Sequence, residues 1–435
     1  MLKRRTYIFI SVATALLIGS TISSVNAAAP KVGSACKKVG TFLVTPGTRF
    51  VCNKEGKKLV WRIGNSGASQ NTSTAPAAPA APEVATFKAP IPITLPVAQN
   101  GTITFANILS RISDIPGSAF NNAEALIEAN TSPSISHAIY IAPTLESIVA
   151  RPDVEKVLDR AMKYYAGFQQ SSYFDLYIYD YSTITWANDQ YEKVAKTRKY
   201  ATFANYDDRY LNSAKGACGD GDCYGSQSAI VPGTNEGFLN VPVDNGKHWF
   251  LDNGTLAHSY GHTVQSAQWD GTKVRDVNAL KNAAYTGWLF QGGVTQPAWT
   301  IATGTLSGYL EQRNNQGFNL RNSGFKNLSA QSITNYLLYS SLTEGIDVDG
   351  NKINGSAYPP NPIWNIGNST GSMAVECLAA IGGPQSVTAL FTLEAQGNSF
   401  DAAFAKIYGV SWQQAAATLG QVIASEYAQT TPTPR

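Results

Sequence analysis

Residues 255–265 read TLAHSYGHTVQ. Helical positions four apart project from one face, so His258 and His262 aim both imidazoles at one point, as two ligands of a single cation do. Between them stands Ser259, and the stretch holds no carboxylate. Residues 252–255, Asp-Asn-Gly-Thr, are N-cap candidates and predict a helix from about 255 to 268. Gln291 follows His262 by 29 positions and falls in a second helical stretch, roughly 280–302.

The flanking elements set the fold class. Residues 104–112 and 119–130 read as helical, and HAIYIAP (137–143) as a strand. Residues 151–169 place Val154, Val157, Leu158, Ala161, Met162 and Tyr165 on one helical face, with Pro152 in the first turn. FDLYIYDY (174–181) alternates as a strand, and QSAIVP and GFLNVPV give two more. After the histidine pair the periodicity is helical, at about 329–343, 369–381, 383–396, 399–407 and 411–427. A small mixed or antiparallel sheet followed by a mostly helical C-terminal part is the α+β class.

Three segments carry a family resemblance over roughly residues 150–430. TLAHSYGHTVQ resembles the TLAHEYxHxxQ segment of gluzincin-type metallopeptidases, the thermolysin-like, peptidase-MA-like clan, and GWLFQGGVT (287–295) resembles their WLxEGGA segment. The stretch NSTGSMAVECLAAIGG, with the later NSFDAAFAKIYGVSWQQ, is similar to their helical tail. The resemblance implies a zincin-like fold with a cleft around residues 255–295. It puts His258 and His262 at the two histidine-ligand positions, Ser259 at the general-base position and Gln291 at the third-ligand position.

Both glutamates of that chemistry are therefore replaced. A catalytic zinc takes three protein ligands and an open site for water, beside a carboxylate that accepts the water's proton. A serine hydroxyl is too short and too weakly basic for that work at neutral pH. A glutamine amide is a neutral donor that leaves the cation's charge uncompensated. No catalytic residue is expected, and no cofactor beyond zinc held weakly. Asp270, Asp276, Glu311 and Glu344 are within chain reach but read as solvated surface acids, and His137 and His248 as ordinary partly buried histidines. GNSTG (367–371) matches GxSxG without a preceding strand or a following histidine, so Ser369 reads as a helix cap. DVDGNKING (347–355) lacks the final glutamate and helix of a calcium loop and reads as a turn.

The rest of the chain places this body in a setting. Lys3, Arg4 and Arg5 precede an apolar run and the small-residue site 25–27, which reads as a secretory signal peptide over 1–27. That run is about half the roughly 20 residues a spanning helix needs, and no later segment reads as transmembrane. Residues 30–64 form a small basic β-meander that resembles the Cys-Gly-Trp modules of secreted actinobacterial proteins. Residues 65–97 form an Ala/Pro/Ser-rich linker, and 98–430 the metallopeptidase-like body. The module carries eight basic residues against Glu55, while the body and linker carry 22 basic against 29 acidic, which disfavours nucleic acid. Cys36 with Cys52, and Cys218 with Cys223, read as two local disulfides of an oxidising compartment, and Cys377 as a buried free thiol. The function expected is a secreted, cell-wall-associated binding or scaffolding protein with a degenerate active site. Its candidate partners are a peptide or cell-wall polymer in the old cleft or on the basic module. The alternatives are an active zinc hydrolase with non-standard ligands and a structural or adhesive envelope protein.

Overall fold

A computed structural model describes residues 31–37, 42–45, 48–63, 103–195, 197, 218–219, 222–223, 226–231, 234–243, 251, 254–269, 287–317, 328–339, 344–346, 352–354 and 366–429. The chain is of mixed α+β class and divides into two compact units, Met1–Ala81 and Pro82–Arg435. The predicted signal segment, the linker, His248, Asp270 and Asp276 lie outside the described residues.

In the first unit, β1 (Phe42–Thr45), β2 (Thr48–Glu55) and β3 (Lys58–Ile63) form an antiparallel meander. The segment before it closes onto β3 through Gly33 N to Trp61 O (2.7 Å) and Trp61 N to Ser34 O (2.8 Å). So short a sheet buries little core, and the Cys36–Cys52 disulfide staples that segment to β2, with Cys52 fully buried.

The second unit opens with two 3₁₀ turns, Ile108–Ser110 and Ile112–Asp114, in place of the α-helix expected over 104–112. The α-helical ladder starts only at α1 (Ile115–Ala129), where a proline, missing its N–H, suits the first turn. Then come β4 (Ser136–Ile141), α2 (Arg151–Tyr164), β5 (Tyr173–Tyr179), α3 (Ile184–Ala195), the two-residue strands β6 (Cys218–Gly219) and β7 (Asp222–Cys223), β8 (Gln227–Val231) and β9 (Glu236–Pro242). The sheet order is β4-β5-β9-β8; the first three strands are parallel and β8 is antiparallel at the edge. Cys218 stands opposite Cys223 in the β6–β7 ladder, and Cys223 is disulfide-bonded.

After β9 the second unit is mainly helical. Its helices are α4 (Thr255–Trp269), α5 (Gly287–Thr303), α6 (Leu306–Gln312) running into a π-helical turn (Arg313–Gly317), and α7 (Ala330–Tyr339). After the short hairpin β10 (Glu344–Ile346) and β11 (Lys352–Asn354) comes a second π-turn, Gly367–Gly371. It leads into α8 (Ser372–Gly382), followed by α9 (Pro384–Ala395), α10 (Phe400–Tyr408) and α11 (Trp412–Gln429). Ser369, expected as a cap, instead lies buried inside that π-turn and donates to the Ile366 carbonyl at 3.4 Å. Cys377 is buried and free. Among the described residues no single helix is long and apolar enough to cross a membrane.

α4 is the central helix, packed against β8, β9, α2, α5 and α9. It is buried on nearly every face although much of it is polar, so its side chains need internal partners. Thr263 donates to the Tyr260 carbonyl (2.7 Å), Gln268 to the Gln169 carbonyl (2.7 Å), and Tyr260 to Gln170 Oε1 (2.6 Å). Gly254 sets the start of the helix. Its φ of +84° is open to glycine, and a Cβ there would lie 3.0 Å from Ala298 of α5.

Candidate functional site

The three positions singled out in the sequence meet where α4 crosses α5. His258 Nε2 and His262 Nε2 lie 3.1 Å apart. Gln291 is 1% exposed, and its side chain hydrogen-bonds to His262. One turn along α5, Thr295 Oγ1 lies 3.0 Å from His258 Nδ1. The helices thus run past each other with Gln291 facing His262 and Thr295 facing His258. The Phe290 ring covers His262 at 4.5 Å between centroids.

Around the imidazoles sits a shell of neutral polar groups to which the sequence assigned no role, although Gln265 is the last residue of the matched TLAHSYGHTVQ segment. Gln265 offers Oε1 to His262 Nδ1 at 2.9 Å while its Nε2 donates to the Phe290 carbonyl at 3.1 Å. Thr295 donates to Asn368 Oδ1 at 2.6 Å, and Asn368 belongs to the second π-turn. Helical spacing points to two of these, since Gln265 is three residues past His262 and Thr295 four past Gln291. Nothing in the local sequence points to Asn368.

Electrostatics favours neutral imidazoles. Burial pushes the His258 pKa well below the ordinary histidine range, and the neighbouring His262 lowers it further. Burial also lowers His262, to about 4, against the opposing hydrogen bonds from Gln265 and Gln291. Both rings are therefore uncharged at neutral pH, the form in which histidine binds metal.

Ser259 stands apart from this shell. Its hydroxyl bonds to Ser226, just ahead of edge strand β8, and donates to the Thr255 carbonyl one turn back at 3.0 Å. Among the described residues no group of three or more His, Cys, Asp or Glu side chains is gathered where a metal would sit. Glu311 is exposed on α6, and the side chain of Glu344 lies outside the described residues. His137 bonds Glu155 at 2.9 Å and stacks on Phe174 at 5.1 Å, an ordinary partly buried histidine.

The donor geometry suits a small cation. His258 Nε2 and His262 Nε2, 3.1 Å apart, are the two nitrogens that would hold such a cation. Gln291 would add an amide oxygen. All three groups are neutral, and among the described residues no carboxylate joins them; a cation held here would polarise a bound group.

The chain has no match among family models, curated proteins or solved structures.

Proposed function

We propose that this is an exported protein with a gluzincin-like, zincin-type domain that has lost peptide hydrolysis and serves in binding or scaffolding at the cell envelope. One observation carries the reading. His258, His262 and Gln291 gather at a single helix crossing, while Ser259 is tied to Ser226 and no carboxylate joins them among the described residues. The central position of α4, and the antiparallel edge strand β8 packed against it, suit a zincin-type frame.

Water attack on a peptide needs a proton acceptor near the cation, and a serine hydroxyl does not ionise near neutral pH. A neutral donor set also holds zinc more weakly than one with a carboxylate, so zinc occupancy is expected to be low. What remains is a surface. An extended peptide can add to the edge of β8, close to Ser226. On the first unit, Lys54, Lys57 and Lys58 are exposed around the β2–β3 turn, and Glu55 is already paired with Arg62 at 2.5 Å. A secreted setting, read from the N-terminal segment, would supply anionic wall polymer to that turn.

The test measures bound zinc and peptide cleavage, with and without chelator, for the full chain and for Ser259→Glu/Gln291→Glu. The natural sequence should show no chelator-sensitive cleavage, and the double variant should hold zinc more tightly. Stoichiometric zinc with chelator-sensitive cleavage by the natural sequence would sink the reading and favour a hydrolase with unusual ligands.

A further inference from the structure

The protons around the histidine pair can be assigned from its partners. The Phe290 carbonyl can only accept, so it fixes the Gln265 amide with Nε2 toward it and Oε1 toward His262. Oε1 can also only accept, so His262 carries its proton on Nδ1 and its Nε2 is unprotonated, an acceptor toward Gln291. On the other ring, Thr295 has a single hydroxyl proton, and its 2.6 Å bond to Asn368 Oδ1 is shorter than its 3.0 Å contact with the imidazole. That proton is committed to Asn368, so Thr295 accepts from His258 Nδ1–H and His258 Nε2 is unprotonated as well. Two lone pairs then converge at 3.1 Å, unfavourable toward each other and favourable toward a cation between them.

We infer that Gln265, Thr295 and Asn368 are positioning residues that hold His258 and His262 as Nδ1–H tautomers and aim both Nε2 atoms at one divalent transition-metal ion. The inference rests on the reading of the α4–α5 crossing as a former metal site, and it adds what keeps that site competent. Outer partners of this kind fix ring orientation and raise ligand basicity, and losing one typically costs about 10- to 100-fold in metal affinity. The alternative arrangement reverses one proton. If Thr295 donated to His258, that ring would carry its proton on Nε2 and close onto His262 as a plain hydrogen bond, leaving no site. Asn368 decides between the two from a π-turn, a form of helix often found at functional positions.

The experiment uses the full chain, stripped of metal and labelled with ¹⁵N at histidine, with long-range proton–nitrogen spectra to read the tautomers. Both rings should be Nδ1–H in the natural sequence. Asn368→Ala frees the Thr295 proton and Thr295→Val removes the acceptor. Each should convert His258 to Nε2–H while His262 keeps its tautomer. In competition with a chromogenic chelator, zinc affinity should fall about 10- to 100-fold in both variants and return in Thr295→Ser. An unchanged unfolding midpoint in Thr295→Ser guards against a trivial folding defect. An Nε2–H signal for His258 in the natural sequence, no zinc binding by it, or unchanged zinc affinity in the variants overturns the inference and leaves the non-hydrolytic reading standing. Chelator-sensitive peptide cleavage by the natural sequence does the reverse.

Discussion

At Gln291 one functional group separates an amide from a carboxylate, and the consequence falls on His262. The amide already bonds to that ring, yet burial holds the His262 pKa at about 4. A carboxylate in the same place would favour the imidazolium by direct attraction. In metal-free Gln291→Glu the His262 pKa should therefore climb well above 4, read from the imidazole chemical shifts across a pH titration. A pKa that stays where it is would mean that residue 291 does not face the ring in solution. Ser259→Ala, by contrast, removes a hydroxyl bonded to Ser226 and to its own helix, and should cost only about 1 kcal/mol in unfolding free energy. His258 and His262 were legible in the sequence as a pair because helical spacing carries them, whereas Gln291 was singled out only through the resemblance of GWLFQGGVT to the WLxEGGA segment. Gln265 was legible as the last residue of the matched segment and Thr295 only as a spacing, neither with a role.

Between elements, the site depends on how closely α5 approaches the second π-turn. A Cβ on Gly292 would lie 2.3 Å from the Gly371 carbonyl carbon and 2.4 Å from its oxygen, and one on Gly371 would lie 2.5 Å from the Trp288 carbonyl oxygen. Backbone atoms cannot swing aside as a side chain does, so Gly292→Ala must push the two elements apart. The expected cost is about 3 kcal/mol or more in chemical denaturation. Because Thr295 reaches Asn368 across the same contact, zinc affinity should fall with it. Gly397→Ala is the control. Its φ of +90° carries strain, but nothing lies within 4 Å of an added Cβ, so only stability should change, by about 1–2 kcal/mol. An unaltered midpoint in Gly292→Ala would show that the crossing can open freely. This contact also explains which elements the sequence revealed. Most helices of the body could be placed within a few residues because their apolar positions recur at helical spacing; the exceptions are 104–112, where 3₁₀ turns form, and the short α6, which was not anticipated. The π-turn could not, since one extra residue per turn leaves that spacing nearly intact, and its effect is to bring Asn368 to a helix more than 70 residues away.

Over the whole molecule, charge is divided in a way composition already suggested, with a small basic first unit and a larger acidic body. Which acids sit inside that body could not be read from the sequence, because burial of a carboxyl depends on the packing of helices distant along the chain. Glu376 and Glu426 share Arg313 in the core, with Tyr309 donating to Glu376 at 2.5 Å. Glu394 of α9 is 4% exposed, and neither of its carboxyl oxygens has a hydrogen-bond partner among the described residues. Burial raises the pKa of Glu394 to about 8; for Glu426 burial, only partly offset by Arg313, does the same. Folded-state values above the unfolded carboxyl value of about 4.5 mean that these two carboxyls hold more protons in the native protein than in the unfolded chain between pH 4.5 and 8. Their stabilisation is complete below that window and is lost as pH rises through it, by up to roughly 1.4 kcal/mol per pH unit for each group. The two histidines act in the opposite sense. Held below their ordinary value of 6.5, they make the folded state bind fewer protons at acid pH, so stability rises with pH until about 6.5 and is flat beyond. Above pH 6.5 only the carboxyl contribution remains, and stability should decline toward pH 8. Glu394→Gln keeps the shape and cannot ionise. Between pH 6.5 and 8.5 its urea midpoint should fall about half as steeply as that of the natural sequence, overtaking it at the alkaline end. Parallel slopes for the two proteins would show that Glu394 is already ionised in the folded state and would remove it as a source of alkaline instability.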